Sequence, residues 1–141
     1  MPSTAPTTYP SFTEARKSLK AILDTVEDGA MVTIQRGSRA AVVADRDRYR
    51  ELLLMAVPPT AKVVAEHGAW VIMIPDTPLA AEGESLDAAI DDLIENLREY
   101  ASEWAEHFAS APNHKDNWAL VQLVNLSTDD GLRDWLTGPQ D

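Results

Sequence analysis

The sequence predicts an α+β protein built from two small modules, and three observations carry that reading. Apolar residues switch repeatedly between helical and alternating spacing. Proline pairs and glycine-bearing turns punctuate the switches. The charge is also divided: residues 1–55 hold eight Lys and Arg against seven acids, net +1, while residues 56–141 hold four against sixteen, net −12. With 45% hydrophobic and 25% charged residues, the chain of 141 has the composition of a folded protein.

Met1 to Thr8 is rich in proline and hydroxyl residues and reads as a flexible arm, too polar and too proline-broken for a signal peptide. A first module is expected over residues 9–55. Ser11-Phe12-Thr13-Glu14 forms a capping box, which satisfies orphan amides at a helix start. Phe12, Ala15, Leu19, Ile22, Leu23 and Val26 then recur at three- and four-residue steps, giving a helix with one apolar side, while Arg16, Lys17 and Lys20 point elsewhere. Asp28-Gly29 ends it. Met31 to Gln35 and Ala40 to Ala44 read as strands joined through Arg36-Gly37-Ser38-Arg39. Asp45 can cap a further helix reaching about Met55, with Tyr49, Leu52 and Leu53 spaced to pack back. A unit of about 50 residues is marginal alone, and no cysteine is present to staple it, so homodimerisation or a higher even assembly is expected.

Ala56-Val57-Pro58-Pro59 cannot continue a helix and links to a second module over residues 60–141. Ala61 to Glu66 and Trp70 to Ile74 read as a hairpin around His67-Gly68, closed by Pro75-Asp76-Thr77-Pro78. Leu79 to Glu84 adds a short edge strand. Ser85 caps the longest helix, whose apolar spacing runs from Leu86 to about Phe108. Trp118 to Leu126 reads as a further strand, and Thr128 to Leu136 as a last helix that Gly138-Pro139 ends.

The order sF-x-EAR-x-x-L, V-x-x-G-x-x-V-x-I-x-R-G, then AVV and an acidic cap before a helical Tyr resembles the Phd/YefM antitoxins of bacterial toxin–antitoxin operons. The resemblance covers Tyr9 to about Leu53. It implies a dimeric fold that binds the operator of its own operon, with Arg16 and Arg36 at the basic positions presented to DNA. Lys17, Lys20 and Arg39 would add phosphate contacts, which neutralise charge without reading sequence. The competing structural reading pairs these arginines with neighbours such as Glu14 or Asp45.

In the second half, Ala69 to Asp76 followed by Glu82 to Tyr100 gives strand, turn, I-P-D-x-P and then E-G-x-S-L-x-x-A-I opening a long helix. This resembles the HicB-like antitoxin module, similar to a truncated ribonuclease-H sheet with its helix. The implied partner is a cognate protein toxin of the RelE-, Doc- or HicA-like kind, basic in charge. Trp70 carries two readings, core residue and anchor for that toxin; Trp104, Trp118 and Trp135 read as core.

A polyanion would be repelled by the acidic half, so DNA binding is expected of the first module alone. Catalysis is not expected. Glu66 and Asp76 flank the second hairpin but have no third ligand at metal spacing, and there is no nucleophile elbow or phosphate-cradling glycine loop. His107 and His114 read as surface residues, with no metal or cofactor implied. No apolar run spans a bilayer, and the lack of cysteine and of a secretory leader points to a cytoplasmic protein. The expected role is that of an antitoxin that binds its toxin directly and represses its operon. The alternative is a stand-alone dimeric transcription regulator whose second module senses a ligand or oligomerises.

Overall fold

Residues 5–138 are described by a computed structural model, in which the chain divides into two compact units, residues 1–51 and 52–141. The architecture is α+β, with one three-stranded sheet in each unit.

In the first unit the sheet order is β1-β2-β3, where β1 is Thr8–Tyr9, β2 is Val32–Arg36 and β3 is Arg39–Val43. Helices α1 (Phe12–Lys17) and α2 (Leu19–Glu27) connect β1 to β2, which pair in parallel through Thr8↔Thr33 and Tyr9↔Ile34. Parallel neighbours require such a crossover. The expected flexible arm is therefore corrected at its end: Thr8 is in a strand, and the Tyr9 beside it is only 5% exposed. Met1 to Thr4 lie outside the described residues.

The first helix is also corrected. Ser11 caps it as the sequence predicts, its Oγ accepting from Glu14 N at 3.2 Å. At Ser18, however, φ −110° and ψ 19° interrupt the helix. The single apolar stripe consequently splits. Ala15, Ile22 and Val26 join Tyr9 and Val32 in the core, whereas Phe12, Leu19 and Leu23 are exposed. The β2–β3 hairpin closes as predicted to within a residue, with Gly37 at φ 62° in the left-handed region where a Cβ is costly. Helix α3 (Arg46–Ala56) is capped by Asp45, whose Oδ2 accepts from Arg48 N at 3.0 Å, and it carries the chain past the division.

The second unit is organised around α4 (Leu86–Glu103), capped by Ser85 accepting from Ala88 N. Strands β4 (Lys62–Glu66), β5 (Ala69–Met73) and β6 (Ala80–Gly83) form an antiparallel meander, and α4 packs on β5 and β6. Gly83 permits this approach: a Cβ there would lie 2.6 Å from Ala89 N and 2.9 Å from the Ala88 side chain. Ile72, Ile90, Leu93 and Leu97 are almost fully buried, each worth about 2 kcal/mol of apolar transfer. The edge strand β4 has no buried residue.

Trp118–Leu126 is helix α5, not the expected strand. A nine-residue segment with seven apolar residues fits a buried strand or a buried helix, and periodicity alone does not separate them. The buried positions Leu120, Val121, Leu123 and Val124 follow helical spacing, which leaves Trp118 at the exposed first turn, 49% accessible, rather than in the core. Helix α6 (Asp129–Thr137) starts at the predicted cap, Thr128 Oγ1 accepting from Gly131 N, and Gly138 follows it. Arg98 locks the two helices onto α4, donating to Val124 O at 2.6 Å, Ser127 O at 2.8 Å and Asp129 Oδ1 at 2.7 Å. Trp135 is buried, and its indole N–H donates to Val57 O at 2.8 Å.

Candidate functional site

The five basic residues singled out in the first unit are all exposed. Arg16 and Lys17 end α1 and Lys20 opens α2, while Arg36 and Arg39 face each other across the hairpin tip. Like charges directly opposite on neighbouring strands destabilise a hairpin unless an anion sits beside them. The Arg36 guanidinium lies 5.8 Å from the centre of the Phe12 ring, a cation–π distance. Phe12 is one helical turn before Arg16, so this contact draws the hairpin tip toward the side of α1 that carries Arg16.

Three of the unit's seven acids pair with other basic residues. Asp45 contacts Arg48, Asp47 contacts Arg46, and Asp24 binds Lys20 at 2.9 Å. Among the described residues, Arg16, Lys17, Arg36 and Arg39 are in no ion pair, so the pairing of the arginines with Glu14 or Asp45 does not occur. The hydrogen bond from Lys20 to Asp24, with the charge of that carboxylate, raises the ammonium pKa above its ordinary 10.5. A raised folded-state value means that, as far as the lysine's own titration goes, the stabilisation is fully present below 10.5 and is lost as pH climbs through the folded value.

In the second unit, Trp70 lies on β5 between Ala65 of β4 and Gly83 of β6, on the same face as Ile72. It is 37% exposed, as α4 covers β5 and β6 but leaves β4 open. Val63, Val64 and Met73 are exposed on the same sheet. The Glu66 carboxylate lies 3.7 Å from the exposed His67 ring nitrogen, and Asp76 sits in the following turn at φ 65°. No three His, Asp or Glu converge into a metal-holding group among the described residues.

A second feature was not anticipated. Beyond α4 the chain makes a π-helical turn, Trp104–Phe108, which lays Phe108 over Tyr100 with centroids 5.8 Å apart and planes 19° from parallel. His114 closes the cluster, 4.5 Å from Phe108 and 5.8 Å from Tyr100. The Asn117 amide donates to the Tyr100 oxygen at 2.9 Å, and the same oxygen is hydrogen-bonded to His114 Nδ1, also 2.9 Å away. The Trp104 indole donates to His114 O at 2.9 Å. His114 is thus half-buried and structured, unlike the exposed His107. These rings, with Pro78, Leu79, Asn96, Glu99 and Glu103, line an open cleft of about 380 Å³. The only sequence signal was an aromatic pair eight residues apart, Tyr100 and Phe108, at a spacing an unbroken helix would stretch over two turns.

Comparison with known proteins bears on the whole chain. No curated protein matches it. A solved structure from Syntrophomonas wolfei subsp. wolfei, described as the antitoxin part of a candidate toxin/antitoxin system, superposes with a TM-score of 0.78 at 26% identity. The alignment covers 91% of this chain and 94% of that one. The PHD-like family model, described as "Antitoxin of toxin-antitoxin, RelE / RelB, TA system", matches residues 7–136. One family therefore runs across both units, from β1 to the end of α6, and the chain belongs to these PHD-like antitoxins.

Proposed function

We propose that the chain neutralises a cognate protein toxin by direct binding through its second unit and represses its own operon through the first. The observation that carries this reading is the separation of charge. The first unit presents Arg16, Lys17, Arg36 and Arg39 in no ion pair among the described residues, while the second holds sixteen acids against four bases from residue 56 onward. A polyanion and a basic protein would each be attracted to one unit and repelled by the other. The likeness to Phd/YefM and HicB modules supports the same division of labour.

The first unit would act as a homodimer. Phe12, Leu19, Leu23, Met31 and Val42 are each 49% exposed or more in a unit of about 50 residues, more apolar surface than so small a fold keeps open to water. A two-fold pair would set two basic hairpins and α1 helices against a palindromic operator. The RelE-, Doc- or HicA-like class of toxin is a further part of the proposal, and Trp70, half-exposed beside the open β4, is offered as an anchor for it.

Arg16→Ala tests the assignment. Operator affinity should fall about tenfold, the cost of one good arginine contact, with toxin neutralisation intact. Unchanged operator affinity would remove Arg16 from the DNA surface. Lys17→Ala should instead reduce the slope of log affinity against log salt by about one, as for a phosphate contact.

A further inference from the structure

The cleft at the end of α4 combines features that suit one chemistry. Its floor is the Tyr100–Phe108–His114 cluster, in which the tyrosine and histidine are fixed by hydrogen bonds. Its opposite wall, Pro78 and Leu79, is held by Thr77, whose hydroxyl donates to Ile74 O at 2.7 Å and accepts from Leu79 N at 3.1 Å. Asn96 ties α4 to this wall by donating to Ala80 O at 2.9 Å. The rim carries Glu99 and Glu103, four residues apart on α4 and in no ion pair among the described residues. Like charges at this spacing disfavour a helix. Neither carboxylate caps a helix or holds a turn.

An aromatic floor with two uncompensated carboxylates favours a flat cation. A guanidinium stacks on ring faces and bonds carboxylates in its plane, which a lysine ammonium does not match. We propose that the cleft receives an arginine side chain of the cognate toxin, its guanidinium laid against the half-buried Phe108 and His114 rings, which the buried Tyr100 backs, and its charge balanced by Glu99 and Glu103. The assignment rests on the antitoxin reading above and supplies it with a contact point. The net −12 of residues 56–141 would draw a basic partner toward this unit, and the cleft would fix where it docks.

The test uses the full chain with N-acetyl-arginine amide, and the citrulline amide as a neutral counterpart of the same shape, followed by NMR of the His114 ring and the backbone amides. Saturable displacements at residues 96–117, absent with citrulline and about tenfold weaker in Glu99→Gln/Glu103→Gln, would support the cleft. No saturable displacement, an equal response to citrulline, or an unchanged response in the double variant would overturn it. Neutralisation of the co-encoded toxin separates the two readings. If the double variant neutralises undiminished, the cleft assignment fails and the antitoxin reading stands. If the unaltered chain does not neutralise, the antitoxin reading itself fails, and the toxin is removed as the occupant of the cleft.

Discussion

Gly83 shows how one missing side chain sets the packing of the second unit. The N-terminal turn of α4 comes so close to β6 that a methyl group at this position would meet backbone atoms of Ala88 and Ala89, which cannot swing aside as a flexible side chain could. Gly83→Ala should therefore lower stability by about 1–3 kcal/mol, read from the urea midpoint, as overpacking in a fixed core does. The same change at Gly138, with no atom within 4 Å, would act only through its positive φ. Arg16 and Arg36 belong to the same scale. The resemblance to Phd/YefM antitoxins pointed to both; they are exposed and in no ion pair among the described residues, and their DNA contact is the proposal that Arg16→Ala tests. The Arg36–Phe12 contact was not legible, because it joins a hairpin tip to a helix start more than twenty residues earlier.

At the scale of elements, the sequence was readable wherever a local signal marked both ends. Ser11, Ser85 and Thr128 cap helices as their spacing indicates, and both glycine-turn hairpins form within a residue of expectation. Three elements were hidden, each because tertiary context decided them. Thr8 looks like the end of a polar arm, and nothing local marks it and Tyr9 as a strand until Tyr9 packs among Ala15, Ile22 and Val32. The break at Ser18 leaves no mark in an otherwise regular stripe. Trp118–Leu126 is apolar enough for either state, and α4 beneath it selects the helix. That selection can be checked. An edge or half-covered strand would place Leu123 and Val124 on opposite faces and bury only one, whereas in α5 both are at most 1% exposed. Leu123→Ala should cost about 2–4 kcal/mol and Val124→Ala about 1–3 kcal/mol, measured by thermal or urea unfolding. The aromatic cleft was illegible for a related reason: it depends on a π-helical turn and on the loop near His114 returning to α4.

For the whole molecule, the boundary between units falls within α3 and not at the Pro58-Pro59 link. Leu53, 4% exposed, and Val57, whose carbonyl accepts from Trp135, belong to the second unit. A fragment of residues 52–141 should accordingly be more stable than one beginning at residue 60, by about 1–3 kcal/mol from one buried leucine and one hydrogen bond. Equal melting temperatures would mean that α3 contributes nothing to the second unit. The division of charge operates at this scale too. It lets one chain face two partners of opposite sign, and coupling between them requires each partner to bind the other's bound state with a different affinity.

The four tryptophans, Trp70, Trp104, Trp118 and Trp135, all lie after residue 52, in environments graded from the buried Trp135 to the half-exposed Trp118. Indole emission from the natural chain, excited at the red edge where the first unit's Tyr9 and Tyr49 do not absorb, is therefore a private signal of the second unit. Heating the protein while following fluorescence and far-ultraviolet circular dichroism together would separate the melting of one unit from that of the whole backbone. Coincident curves would show that the two units unfold as a single cooperative body, and staggered curves would give the free energy by which one outlasts the other, without any label or substitution.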